Sequence, residues 1–281
     1  MRHNKVLVTG ATGNVGGSIT ARLVGTTTVR GLSRRPEALP DGVEAVRGDQ
    51  FDPDTVARAA RGTDAAFLVW PALTANGARE VVQALAAHTP RIVFLSSGAV
   101  DDSLEVQENV IGRFHADVER AIADTGVEWT FLRPHGFATN TLAWRPAILA
   151  GDEVRGGFGR TAVTLVHEDD IAAVAVKALL EDGHQGAKYV LTGPELVTRA
   201  DQVTLIGEVL GRPLRWVETS PEEEFEAARR WLPEEVAQAF VSGLARSTEQ
   251  PAPPTTTVED VTGTPARTFR AWLADHADDF R

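Results

Sequence analysis

The 281-residue chain contains no cysteine, which excludes disulfides, thiolate catalysis and cysteine-ligated metals. No apolar run approaches the ~20 residues of a membrane span. Basic residues are scarce, 28 Lys and Arg against 39 Asp and Glu, giving a formal charge of −11. That balance argues against a nucleic-acid or anionic-membrane partner, since both favour a basic face. No histidine pair stands at metal-ligand spacing, and His167-Glu168-Asp169-Asp170 reads as a helix start capped by Asp169 or Asp170, with no metal. The first strand-like run starts at Lys5, too early for a secretory leader to precede it, so the expectation is a cytoplasmic protein.

What is present is concentrated near the start. Lys5-Val6-Leu7-Val8-Thr9 is a short β-branched run, and Gly10, Gly13 and Gly16 follow at a spacing of three. Ile19, Leu23 and Val24 then recur at helical spacing. Strand, glycine turn and helix make a site for a dinucleotide pyrophosphate. Gly10 permits the tight turn, Gly13 lets backbone N–H groups reach the phosphates, and Gly16 lets helix and strand approach. The helix start adds unpaired N–H groups and a partial positive charge. Thr9, Gly10, Thr12, Gly13, Asn14 and Val15 are the residues expected around the phosphates.

Alternation of strand-like and helix-like segments continues through the first half, the pattern of a doubly wound parallel α/β sheet. Strands are expected at Val6–Thr9, Val29–Ser33, Val43–Arg47, Ala65–Val69, Arg91–Ser96, Glu128–Leu132 and Lys188–Leu191, with helices near 14–24, 53–60, 75–88 and 108–125. Val163–Val166 reads as a further strand, and 266–277 as a last helix. The organisation expected is a Rossmann domain over 1–136, joined by later elements from about 163–192. A small C-terminal lobe over 137–281 would bind substrate without being an independent module.

The second strand ends Gly31-Leu32-Ser33-Arg34-Arg35, with no acid before Glu37. An NAD site usually places a carboxylate there for the ribose hydroxyls. Arginine instead suits a 2′-phosphate, by charge and bidentate geometry. Arg34, helped by the Ser33 hydroxyl, therefore points to NADP(H); the plain alternative is a pair of solvated arginines. Asp49 and Gln50, after the third strand, meet an adenine edge or simply form a turn. Val69, Trp70 and Pro71 end the fourth strand at the carboxyl edge, where doubly wound sheets bind ligands. Phe137 and Trp144 follow the sixth strand and suit a flat, aromatic or quinone-like small molecule. Trp216, Trp231 and Trp272 read as core.

With these residues on view, the chain resembles an atypical short-chain dehydrogenase/reductase of the NmrA-like group. It is similar there to type 2 quinone oxidoreductases and triphenylmethane reductases. The likeness runs through Val8–Gly16, through Gly126-Val127-Glu128-Trp129-Thr130-Phe131-Leu132-Arg133-Pro134, through Leu191-Thr192-Gly193-Pro194-Glu195 and through Thr262–Phe269. It implies an NADP-binding Rossmann domain and reduction of a carbonyl, quinone or other conjugated electrophile. Short-chain reductases generally use a Tyr-x-x-x-Lys pair as proton donor. Aligned on Glu119, this chain has Ile111 and His115 at those places, and its one tyrosine, Tyr189, falls in a late strand. Without that acid, catalysis has to rest on positioning and on an acceptor that takes hydride readily. His115, Ser97 and His135 are the residues expected to take part. A non-catalytic NADP-sensing regulator is the alternative, also implied by the resemblance.

Overall fold

The computed structural model describes residues 5–281. Residues 1–4, which the expectation of no leader concerns, lie outside the described residues. Strands along the chain are β1 (Lys5–Thr9), β2 (Thr28–Ser33), β3 (Val43–Arg47), β4 (Ala65–Val69), β5 (Arg91–Leu95), β6 (Glu128–Pro134) and β7 (Gly136–Phe137). They continue as β8 (Glu153–Gly156), β9 (Ala162–Val163), β10 (Leu165–Val166), β11 (Ala187–Leu191), β12 (Val197–Thr198) and β13 (Arg215–Glu218). Helices are α1 (Asn14–Leu23), α2 (Pro53–Ala60), α3 (Ala78–Ala86), α4 (Val110–Ala123), α5 (Arg145–Ala150) and α6 (Glu168–Leu180). After them come α7 (Arg199–Leu210), α8 (Pro221–Ala228), α9 (Glu234–Glu249), α10 (Thr257–Thr262) and α11 (Phe269–His276).

The chain divides into two compact units. The first comprises Met1–Pro134, Glu168–Leu191 and Thr257–Thr264. Its seven-stranded sheet has the order β11-β6-β5-β4-β1-β2-β3, and every pairing is parallel. The order reverses between β1 and β4, the topological switch point where such sheets bind ligands. A buried cluster including Leu7, Leu68, Trp70, Val82, Phe94, Phe114 and Phe131 joins the sheet to α2, α3 and α4. On the other face α1 packs against α6, where Ser18 and Arg22 both bond Asp169.

Local chemistry explains most boundaries. Pro53 opens α2, where its missing N–H costs nothing, and the Asp52 carboxylate accepts the Asp54 N–H at 3.1 Å. Asn109 caps α4 by accepting from the Ile111 N–H at 2.7 Å, so that helix starts two residues later than periodicity suggests. Gly77, with φ of 78°, delays α3 to Ala78, and the Thr268 cap delays α11 to Phe269. Asp169 and Asp170 lie inside the first turn of α6, not at its cap, because the helix already begins at Glu168.

The second unit comprises His135–His167, Thr192–Thr256 and Pro265–Arg281. Its core gathers Ile148, Val154, Val203, Ile206, Phe269, Trp272 and Phe280. The single strand expected over Val163–Val166 is two short ones with different partners: β9 runs antiparallel to β12, while β10 runs parallel to β7. Trp272 is fully buried, as expected. Trp231 is 87% exposed and belongs to no core; it lies in the turn that follows α8.

Candidate cofactor and acceptor site

Gly10 closes β1 with φ of 61°, a left-handed conformation that disfavours side chains. A Cβ there would sit 2.5 Å from Val69 Cγ1, so the glycine also lets the ends of β1 and β4 approach. The Gly13 N–H donates to the Gly10 carbonyl at 2.9 Å, folding the turn. A Cβ on Gly16 would fall 2.2 Å from that same carbonyl oxygen. No side chain caps α1, and its first turn carries no acid. The leading amides of a helix have no intrahelical acceptor, so Asn14, Val15 and Gly16 present N–H groups to an incoming anion. Thr12, Gly13 and Asn14 are exposed around them. The loop fits a pyrophosphate.

Not every expected residue keeps its side chain for a ligand. The Thr9 hydroxyl is buried, donating to the Phe67 carbonyl at 3.2 Å and accepting from the Val69 N–H at 2.9 Å. Val15 is a core side chain, 7% exposed, leaving its amide for the loop. The Trp70 ring is 4% exposed, stands edge-on to Phe51 and donates its indole N–H to the Thr74 carbonyl at 2.7 Å. Gln50 donates its amide to the Val69 carbonyl at 3.3 Å, and Asp49 accepts the Phe51 N–H at 3.0 Å. These tie the β3–α2 turn to β4. Val69 is half-buried beside Gly10, and Pro71 is exposed.

At the end of β2 the charge is positive. Among the described residues the Arg34 guanidinium has no hydrogen-bond or ion-pair partner, and it is exposed. Arg47, beside Ser33 in register, donates to the Arg34 carbonyl at 3.1 Å and pairs with Glu37 at 3.2 Å. The nearest acid is thereby occupied. Ser33 accepts the Arg35 N–H at 3.0 Å and keeps its own O–H to donate. Arg47 went unnoticed in the sequence; its place at the end of β3, beside β2, was the available signal.

Ser97 follows β5, half-buried, and accepts the Ala99 N–H at 3.1 Å, which leaves its O–H free to donate. Ser96 is spent differently, donating to the Glu119 carboxylate at 2.5 Å. His115 rests on Phe114, ring centroids 4.2 Å apart, and its Nδ1 lies 2.8 Å from the Ile111 carbonyl oxygen. A carbonyl only accepts, so Nδ1 carries the proton and neutral His115 offers a bare Nε2. Burial holds the ring below its ordinary pKa, against the opposing influence of that carbonyl and of Glu119.

Beneath these groups lies an ion network that the sequence did not announce. Arg133 bonds Glu119 at 2.9 and 2.6 Å and Asp102 at 2.9 and 3.0 Å. Lys188 reaches Asp102 at 2.7 Å. The Arg133 guanidinium beside it holds the Asp102 carboxyl down at about 2, while Glu119 raises Arg133 despite its burial. The network ties β6 and β11 to α4 and to the loop after β5 that carries Ser97 and Asp102. An arginine in the otherwise apolar Phe131-Leu132-Arg133-Pro134 was the clue.

Tyr189 is on β11, its hydroxyl 2.8 Å from His184 Nδ1. In the second unit, His135 comes directly after β6 and is exposed, and Phe137 is half-buried in β7. Trp144 stands edge-on to Trp216, with the Arg199 guanidinium 5.8 Å from its ring centre. Among the described residues no three metal-ligating side chains gather, and no helix is long and apolar enough to cross a membrane.

A parallel doubly wound sheet with a glycine turn at its switch point defines a dinucleotide-binding Rossmann protein. Residues 10–182 match the model of the NAD(P)H-binding family. The chain is 42% identical over 280 residues to a (4-alkanoyl-5-oxo-2,5-dihydrofuran-3-yl)methyl phosphate reductase of Streptomyces griseus, covering 98% of this chain and 99% of that one. It is 32% identical over 291 residues to an NAD(P)H azoreductase of Xenophilus azovorans, covering 98% and 99%. The fold superposes on the NADPH complex of an Escherichia coli NADPH-dependent quinone oxidoreductase with a TM-score of 0.78 at 22% identity, covering 96% and 99%. The chain belongs to the NAD(P)H-binding family and is an NAD(P)H-dependent oxidoreductase.

Proposed function

We propose that this reductase prefers NADPH and delivers hydride to a conjugated, electron-poor acceptor without a tyrosine–lysine pair. The acceptor class is a quinone, an aromatic dye or an alkene conjugated to carbonyls. The observation that carries the reading is the pairing of His115 with Ile111. Neither residue is a phenol, and the one tyrosine bonds His184 instead.

NADPH, when bound, supplies the hydride. The amides of Gly13, Asn14 and Val15 would hold its pyrophosphate, with Gly10 and Thr12 shaping the loop. Arg34 and the Ser33 hydroxyl would take the 2′-phosphate, and Asp49, Gln50, Val69 and Pro71 would border the bound cofactor. Neutral His115, with Nε2 bare, suits accepting a hydrogen bond from a ribose hydroxyl better than donating a proton. The Ser97 O–H is available to a carbonyl oxygen gaining charge. His135, Phe137 and Trp144 remain the acceptor-side residues of this reading.

The relative from Streptomyces griseus is named for a dihydrofuran whose ring alkene is conjugated to two carbonyls. Hydride added to such an alkene leaves negative charge shared by both carbonyl oxygens. No strong acid is then needed in the hydride step, and water can supply the proton afterwards. An isolated ketone has no such outlet and would need the missing phenol.

Oxidation of NADPH against a panel of acceptors tests the proposal. Naphthoquinone, an azo dye and an alkanoyl dihydrofuranone should turn over at least about a hundredfold faster, in kcat/KM, than cyclohexanone. Tight NADPH binding with no turnover of any conjugated acceptor would contradict it and favour a cofactor-sensing regulator.

A further inference from the structure

Ser97 and His115 stand on separate elements, one shortly after β5 and the other within α4, and the same two contacts bracket both. The Ser96 hydroxyl donates to the Glu119 carboxylate at 2.5 Å, joining the residue before Ser97 to the residue one turn after His115. On the other side α4 passes close to the loop: a Cβ on Gly112 would fall 2.4 Å from the Ala99 carbonyl oxygen. Residues three and four apart share a helix face, so Gly112, His115 and Glu119 form one row along α4. With its ends held against Ala99 and Ser96, that row brings His115 to the stretch between them, where Ser97 stands.

The strand side of this gap is fixed. The Ser96 N–H donates to the Leu132 carbonyl at 2.7 Å and the Gly98 N–H to the Pro134 carbonyl at 2.8 Å, so Ser97 lies between two residues pinned to β6. Arg133, between the same two anchors, donates to Glu119 at 2.9 and 2.6 Å. Ser96, Glu119 and Arg133 are 3%, 6% and 4% exposed, so bulk water does not compete for these bonds. Glu119 accepts from β6 and from the end of β5, and it locks α4 to both. Stability alone does not call for such a junction, because well-packed apolar side chains often replace a buried ion pair at no cost. What the carboxylate adds is direction.

We infer that Glu119 is a positioning residue for hydride transfer. Through Ser96 and Arg133 it fixes the spacing between the Ser97 hydroxyl and His115 Nε2. A carbonyl oxygen gaining charge at the first and a ribose hydroxyl held at the second then meet in register. The inference rests on the roles given to Ser97 and His115 above. Misplacing reacting groups by about 1 Å costs on the order of a hundredfold in rate.

Removing Glu119 itself would strand the buried Arg133 guanidinium, so the test alters the gap and leaves the ion pair whole. S96A deletes the bond from the end of β5, and G112A forces α4 away from Ala99. With NADPH and a quinone that the wild type reduces, each should lower kcat, counted per NADPH-binding site, by about tenfold or more. KM for the quinone and Kd for NADPH should stay within about threefold. K188A, which breaks the outer Asp102 bond of the same network, should keep kcat within about twofold. The NMR signal of His115 Nε2 reads the spacing without turnover: NADP+ should shift it in the wild type, and little or not at all in S96A. A wild type that reduces no conjugated acceptor, but whose Nε2 shift is lost in S96A, would count against the acceptor class alone. Wild-type kcat in S96A, or an Nε2 signal that responds to NADP+ equally in both proteins, would overturn the inference.

Discussion

The Nδ1–H of His115 donates to the Ile111 carbonyl at 2.8 Å, so the residues standing where a lysine and a tyrosine are expected are bonded to each other. One helical turn separates them, the spacing at which a side chain meets the carbonyl four residues back. The bond fixes the tautomer and turns Nε2 into an acceptor.

Burial lowers the His115 pKa from its ordinary 6.5. The unfolded chain then binds more protons than the folded one between the two values, so stability rises with pH through that window and is fully present above 6.5. H115Q, which cannot be protonated, should lose less stability than the wild type as pH falls below that point. Denaturant unfolding of both proteins across the acid range checks this; parallel pH curves would contradict it. The same variant should lower kcat/KM roughly fivefold or more if Nε2 holds a ribose hydroxyl.

The glycine turn gives a paired prediction. In G16A the new Cβ would meet the Gly10 carbonyl at 2.2 Å, whereas in G17A it would meet the Ala11 carbonyl at 3.7 Å, an ordinary contact. G16A should therefore cost about 1–3 kcal/mol and weaken NADPH binding. G17A should be neutral or stabilising by up to about 1 kcal/mol, since alanine favours helix. Thermal unfolding with and without NADPH separates the two.

Arg34 tests the choice of dinucleotide. Removing a charge-assisted contact to the 2′-phosphate should raise KM for NADPH about tenfold or more in R34A, and that for NADH by less than about twofold. Steady-state kinetics with both cofactors reads this directly. Equal losses would remove Arg34 from the phosphate site.

The parts of the molecule legible in the sequence are those decided locally. β1, the glycine spacing and α1 follow from consecutive residues, and Asp52-Pro53 marks the start of α2 within two. Arg133 was opaque because its partners Glu119 and Asp102 lie 14 and 31 residues away and meet it only once β5, β6 and α4 are assembled. Trp70 shows the converse. Its position at a strand end says ligand, but the packing of Phe51 and the Thr74 carbonyl occupies its ring. The break between β9 and β10 depends on two different partner strands and leaves no periodic trace.

The central claim is hydride transfer without a phenol, and Tyr189 is the one tyrosine in the chain. The direct measurement is kcat/KM of Y189F with NADPH and a conjugated acceptor that the wild type reduces. The account predicts a value within about twofold of wild type. A loss of about a hundredfold or more would make Tyr189 the proton donor and contradict it.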